Sequence, residues 1–265
     1  MMSTRAILNK TSTKKRDTML CVSNVTPSNP NGSQTYAVTD AVLVGGQAYI
    51  FPWIPTARPG VHKTNSIPAY GIEQSTRSST TCFMRGLKET VEMQSNSGVA
   101  WQWRRLCFTL KGTSLINQAS ASVAFNLQAT NGMQRVVNNA VGQPAGNVIV
   151  GLIFRGSQGI DWNNYMNAPI DTERISVCYD KTRTIQSGNS SGVLRKYSIW
   201  HPMNKNMVYD DEEIGDSGAY SPYATDGRLG MGDYYVIDIV VSAFGSSSSD
   251  ELVWGPNATL YWHEK

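Results

Sequence analysis

Charged residues are scarce in this chain. Asp, Glu, Lys and Arg make up 16% of its 265 residues, against roughly 25% in ordinary soluble domains. Runs of Ala, Leu, Glu and Lys are missing, which argues against an all-helical fold. Histidine is rarer still. His62, His201 and His263 stand far apart, with no H-x-H or H-x-x-x-H spacing for a metal. The four cysteines, Cys21, Cys82, Cys107 and Cys178, form no C-x-x-C pair. Three of them fall in segments that read as strands, so free thiols are expected, though the even count permits two disulfides. Long apolar runs are absent too. Stretches such as Val148–Phe154 are far too short to span a bilayer, and no N-terminal apolar run resembles a signal peptide. No membrane partner is expected.

The signatures of catalysis are also lacking. The sequence contains no G-x-S-x-G elbow and no G-x-x-x-x-G-K-[ST] loop. GRLGMG at 227–232 has the wrong spacing for a dinucleotide fingerprint and no strand–turn–helix around it. Asp210, Asp211, Glu212 and Glu213 lack the alternation of a calcium loop, so they read as a solvated loop rather than a cation site. The chain is therefore read as not an enzyme, with no catalytic residue, no metal and no cofactor assigned.

Asn, Ser, Thr and Gly take the place of the missing charges, and these residues favour turns and strand edges. The segment 82–94 alternates with period two. Phe83, Leu87, Val91 and Met93 fall on one side, and Lys88, Thr90, Glu92 and Gln94 on the other, the signature of a half-buried strand. In 100–110 the phase changes between Trp101, Trp103 and Leu106, Phe108, Leu110, which predicts a bulge near Arg104–Arg105. Further strands are predicted at 18–25, within 35–51, and at 147–154, 174–185, 193–200, 234–244 and 258–263. A helix is predicted over 133–141 from Met133, Val136, Val137, Ala140 and Val141, stopped by Gly142 and Pro144; residues 115–127 fit one less well. Residues 52–80 and 201–232 read as long loops. SGNSSG reads as a hairpin turn in which Gly188 takes a positive φ. The pattern is all-β: an antiparallel jelly-roll β-sandwich with long loops and one or two short helices. Residues 1–17 read as a basic N-terminal arm and 18–265 as one jelly-roll domain.

Charge is unevenly placed. Arg5, Lys10, Lys14, Lys15 and Arg16 against Asp17 give residues 1–25 a net +4, while residues 200–251 hold ten acids against Lys205 and Arg228. A basic segment ahead of a near-neutral body suits contact with a polyanion, although a solvated terminus has the same composition. These five cations are candidate nucleic-acid contacts, and Lys14, Lys15 and Arg16 are also a candidate nuclear-import signal. Arg104 and Arg105 with Trp103 form a second candidate, in which indoles stack on bases and guanidinium groups meet phosphates. The competing reading places the tryptophans in the core and pairs the arginines with carboxylates.

Six segments, KKRDTML at 14–20, CFMRGLKE at 82–89, WRRLCFT at 103–109, LIFRGSQGIDW at 152–162, VCYDKTRTIQSGN at 177–189 and WHPMNKNMVYDDEE at 200–213, together resemble the capsid proteins of genomoviruses. More distantly they resemble the geminivirus coat protein. The resemblance implies a jelly-roll subunit that assembles with itself into a small icosahedral T=1 shell of sixty copies. It implies circular single-stranded DNA as cargo, the virion and the host nucleus as locations, and a host nuclear import receptor as a further partner. It also implies a longer arginine-rich arm. No dense arginine tract precedes Lys14 here, and the expectation is that such an arm precedes this chain. The basic parts are expected to face the lumen and the acidic loop to face outward or an adjoining subunit. The alternatives are a single-strand-binding protein that forms no shell, a carbohydrate-binding jelly-roll module, and a sandwich-fold hydrolase using paired carboxylates.

Overall fold

A computed structural model describes residues 10–265. Thirteen strands are present among them: β1 (Thr13–Ser23), β2 (Ala41–Val44), β3 (Ala48–Trp53), β4 (Thr81–Ser95), β5 (Trp101–Leu110), β6 (Leu127–Ala129), β7 (Gly132–Val137), β8 (Ser176–Ile185), β9 (Leu194–Val208), β10 (Glu212–Ile214), β11 (Ser217–Ala219), β12 (Asp233–Ser242) and β13 (Glu251–Glu264). The described residues also form an α-helix, α1 (Pro144–Ile153), and a 3-10 turn at Ile116–Gln118.

The larger sheet runs β6-β7-β1-β13-β4-β9, with β2 also paired to β13; the smaller runs β3-β12-β5-β8. Within these sheets pairing is antiparallel except between β1 and β7, which is parallel. The chain winds between the sheets so that β1 meets the last strand, β13, and β3 meets the penultimate one, β12. This winding is the jelly roll expected from sequence. Two cores follow. Between the sheets, Met84, Leu87 and Trp262 pack with Trp53, Cys107 and Val236, and Val91, Met93 and Trp254 pack with Phe51, Trp101 and Trp103. On the far side of the smaller sheet, Ile50, Leu106, Phe108, Tyr235 and Ile237 are covered by α1 and the loops around it. Each fully buried side chain of this size contributes about 1.5–3 kcal/mol.

The structure corrects several sequence expectations. The first strand starts at Thr13, so Lys14, Lys15 and Arg16 belong to the sandwich and not to an arm. The predicted helix over 133–141 is instead β7 followed by a segment without regular structure. The predicted strand over 147–154 is α1, which starts with Pro144 in its first turn and buries Ala145, Ile149 and Ile153. That i, i+4, i+8 stripe packs onto the smaller sheet. The first turn of α1 approaches the segment that leads into it closely, since a Cβ on Gly146 would lie 2.0 Å from the Ala140 carbonyl oxygen. Between 115 and 127 only the 3-10 turn forms. No register shift falls at Arg104–Arg105; shifts lie in β4, between Met84 and Gly86, and in the pairing of β5 with β8, at Cys107–Phe108. β5 pairs with β12 without interruption, and its phase change arises because both of its faces are buried. Strand β9 runs on to Val208 and β13 begins at Glu251, so both are much longer than predicted. The loop after β3 is not wholly superficial. Arg58 and Arg77 are buried in it, paired with Asp17 and Asp211. All four cysteines are free; Cys82 and Cys107 are buried, while Cys178 is exposed.

Candidate nucleic-acid interface

Four of the eight candidate contacts are engaged inside the protein. Arg105 has no exposed surface and bridges Glu89 and Asp238. Trp103 is fully buried beneath it and donates its indole N–H to Asp238 at 2.7 Å. Arg104 holds Asp180 with two 2.9 Å hydrogen bonds and donates to the carbonyls of Tyr165 and Ala168. Lys15 is buried against Glu264 at 3.0 Å and also donates to the Thr76 carbonyl and the Ser78 hydroxyl. None of the four presents its charge or ring to a ligand, which corrects their assignment as nucleic-acid contacts. The competing reading, core tryptophan with paired arginines, describes the Arg104–Arg105 patch. Arg5 lies outside the described residues. Lys10, Lys14 and Arg16 are exposed.

The alternation of β1 explains the division. Lys15, Asp17 and Met19 point inward, and Lys14, Arg16 and Thr18 point out. The outward positions join those of three neighbouring strands. Across β1 and β13, Lys14 pairs with His263 and Arg16 with Tyr261. Across β13 and β4, His263 pairs with Phe83, Tyr261 with Gly86 and Thr259 with Lys88. Across β4 and β9, Lys88 pairs with Trp200 and Gly86 with Pro202. The result is one continuous sheet face bearing Lys14, Arg16, Arg85 and Lys88 among Phe83, Trp200, Tyr261 and His263.

The aromatic groups touch. Trp200 and Tyr261 have ring centroids 5.8 Å apart, and Phe83 and His263 lie 6.2 Å apart. The Arg85 guanidinium lies 6.0 Å from the Phe83 ring centre and donates to Asn204 at 2.5 Å. Partial burial holds His263 below the usual imidazole range, and the Arg85 and Lys14 charges push it further down. The Arg85 and Lys14 contributions are repulsive, so an anion placed beside the ring would raise the imidazole again. The outward acids of these strands, Glu92 and Glu251, lie toward the other end of the sheet, and Glu92 faces Lys196 at 3.8 Å. The sequence marks Lys88 only as a polar-face residue and does not single out Arg85, Trp200 or Tyr261. The available signal is aromatic residues on the polar phase of strands: Trp200 ends the predicted 193–200 strand and Tyr261 lies within 258–263.

Other chemistry is weaker. Cys107 and His201 do meet in the core, with Sγ 3.8 Å from Nδ1. Burial raises the thiol and lowers the imidazole to about 4, so both are neutral near pH 7. A nucleophilic pair requires the opposite, a thiolate beside an imidazolium. Among the described residues no group of three or more His, Cys, Asp or Glu side chains could hold a metal. Asp211 of the acidic run is tied to Arg77 by hydrogen bonds of 2.6 and 3.0 Å. Glu212 and Glu213 start the β10–β11 hairpin. No helix among the described residues is long and apolar enough to cross a membrane. No protein-family model matches this chain, and no curated protein matches it.

Proposed function

We propose that the chain is the coat-protein subunit of a small single-stranded DNA virus of the genomovirus kind, which assembles with itself into an icosahedral, T=1 shell around circular DNA. The observation that carries this reading is the outward face of β1-β13-β4-β9. It gathers four cations with no paired carboxylate among the described residues, on a jelly-roll frame otherwise poor in charge. Cations on a flat sheet neutralise phosphates without regard to sequence, as a package of arbitrary genome requires. In the shell this face turns to the lumen, and the acidic β10–β11 hairpin serves the exterior or a neighbouring subunit. The order of the six sequence segments supports the same family.

Lys14 and Arg16 remain the members of the basic run available for phosphate and for an import receptor, because Lys15 is held by Glu264. The same basic face also suits a strand-binding protein that forms no shell, and assembly separates the two. Negative-stain electron microscopy of the purified protein, with the ultraviolet absorbance ratio read on the same fraction, is the test. Closed uniform particles with nucleic-acid absorbance are expected. Monomers or small oligomers across a range of salt and pH, with single strands still bound, would replace the coat reading with the strand-binding one.

A further inference from the structure

We infer that the outward sheet face carries a stacking site for unpaired bases, centred on Trp200 and Tyr261, which makes this subunit favour single strands over duplex. The inference rests on the nucleic-acid reading above and adds to it a reason for strand selectivity.

The chain has seven tryptophans. Trp53, Trp101, Trp103, Trp254 and Trp262 are fully buried and Trp162 nearly so, while Trp200 is 47% exposed. Its position is nonetheless built. The β4 bulge places Gly86 beneath the indole, and a Cβ there would lie 2.6 Å from Trp200 Cζ2 and 2.9 Å from Cη2. Absence of a side chain at Gly86 lets the ring lie down on the backbone. Tyr261, the β13 neighbour of Gly86, leans on it at 59°. The indole thus has a floor, a side wall and open surface.

Cations flank it in register. Lys88 is directly opposite Trp200 on β4, and Arg16 is directly opposite Tyr261 on β1. Two residues along β13, about 7 Å away, His263 and Phe83 form a second aromatic pair with Lys14 beside it. Aromatic rings alternating with cations along a groove hold single strands, since every base has a π-face and every nucleotide a phosphate. In a duplex the bases are stacked on one another and expose only their edges. The cations therefore attract both forms, and the rings add affinity for single strands alone.

Two measurements on the full chain test this. In the wild type, Trp200 supplies most of the iodide-quenchable tryptophan emission. Adding an oligothymidylate should remove that fraction, and adding a duplex of equal length should not. In the second, Trp200→Ala should raise the Kd for the oligothymidylate about tenfold at fixed salt, leave the duplex Kd within about twofold, and retain the wild-type near-ultraviolet circular dichroism pattern outside the lost indole. Trp200→Phe should retain most of the preference. Equal loss for both nucleic acids, no loss for either, or iodide-accessible emission untouched by the oligonucleotide would overturn the stacking site. Particles in the microscope with no single-strand preference would leave the coat reading standing and remove this one; a preference without particles would do the reverse.

Discussion

Arg105 and Asp238 stand opposite each other in β5 and β12, and the guanidinium donates to the carboxylate twice, at 2.7 Å from Nε and 2.9 Å from Nη2. Arg135 of β7 reaches the same carboxylate at 3.0 Å and Glu89 of β4 at 2.9 Å, and Arg105 closes the square by donating to Glu89. All four side chains are fully buried. The square is neutral and joins the two sheets at the centre of the sandwich. Arg135 also lies 4.2 Å from the Trp53 ring centre and 5.2 Å from that of Trp254. Burial works against charge on Asp238, yet the Arg105 charge and hydrogen bonds, then Arg135 and the Trp103 N–H, hold the carboxylate below the usual range.

Asp238→Asn keeps the shape of the side chain but leaves two buried guanidinium groups with one carboxylate. Removing one partner of a buried pair costs about 3–5 kcal/mol. Urea unfolding should show a loss of that size. A loss under about 1 kcal/mol would mean that the square does not hold the sheets together.

Adjacent lysines should behave oppositely. Lys15 is the buried partner of Glu264, so Lys15→Ala should cost about 3 kcal/mol and lower the thermal midpoint. Lys14→Ala and Arg16→Ala remove exposed side chains and should change stability by no more than about 0.5 kcal/mol. Each should instead flatten the dependence of single-strand affinity on salt by about 0.7 in log–log slope. Unaltered slopes in both variants would remove the outward face of β1 from the interface.

What the sequence made legible depended on whether a segment has one wet face. β4 has one, and its alternation was readable in the stretch from Leu87 to Gln94; before the bulge, Phe83 lies on the other side from its apparent partners. β5 and β7 have none. Arg135, Val136 and Val137 are buried in succession, so the spacing of Met133, Val136 and Val137 carried no periodic information and matched a helix by accident. α1 failed in the reverse direction. Its β-branched run resembled a strand, and only packing of Ala145, Ile149 and Ile153 over the sheet makes it helical. The basic run was found, but not its division into inward and outward members. The aromatic pairs were out of reach, because Trp200 and Tyr261 are 61 positions apart in the numbering and meet only through the pairing of β9, β4 and β13.

The connection between β8 and β9 crosses from the smaller sheet to the larger, so SGNSSG is not the hairpin turn expected from sequence, and its positive φ falls four residues further on. Gly188 does not have a positive φ, and a Cβ there would meet nothing within 4 Å. Gly192 has φ +80°, and its Cβ would fall 2.0 Å from the Ser95 carbonyl oxygen. Gly188→Ala should therefore be nearly neutral, whereas Gly192→Ala should cost more than about 1 kcal/mol from backbone strain and the clash combined. Thermal melts of the two variants distinguish them, and the reverse order would refute this turn geometry.

Two buried groups should make stability depend on pH in opposite senses. Burial raises Asp233 to about 7, against the hydrogen bonds it accepts from the Ala224 N–H and with the nearby Asp226 charge adding to the rise. Burial and the Arg105 charge lower His201 to about 4. Between pH 4 and pH 7 the folded chain holds the Asp233 proton more tightly than the unfolded chain does. That contribution is full below pH 4 and is lost as pH rises through 7. Between pH 4 and pH 6.5 the unfolded chain takes up a proton at His201 that the folded chain refuses, so this contribution grows as pH rises and is lost as pH falls. Each slope approaches 1.4 kcal/mol per pH unit at most, and over pH 4–6.5 they largely cancel. Asp233→Asn removes one side of the balance. The stability of the wild type minus that of Asp233→Asn should fall as pH rises from 4 to 7, and the variant alone should gain stability toward pH 6.5. Urea unfolding at half-unit steps of pH measures both curves; parallel curves would place Asp233 ionised in the folded protein throughout and end the compensation.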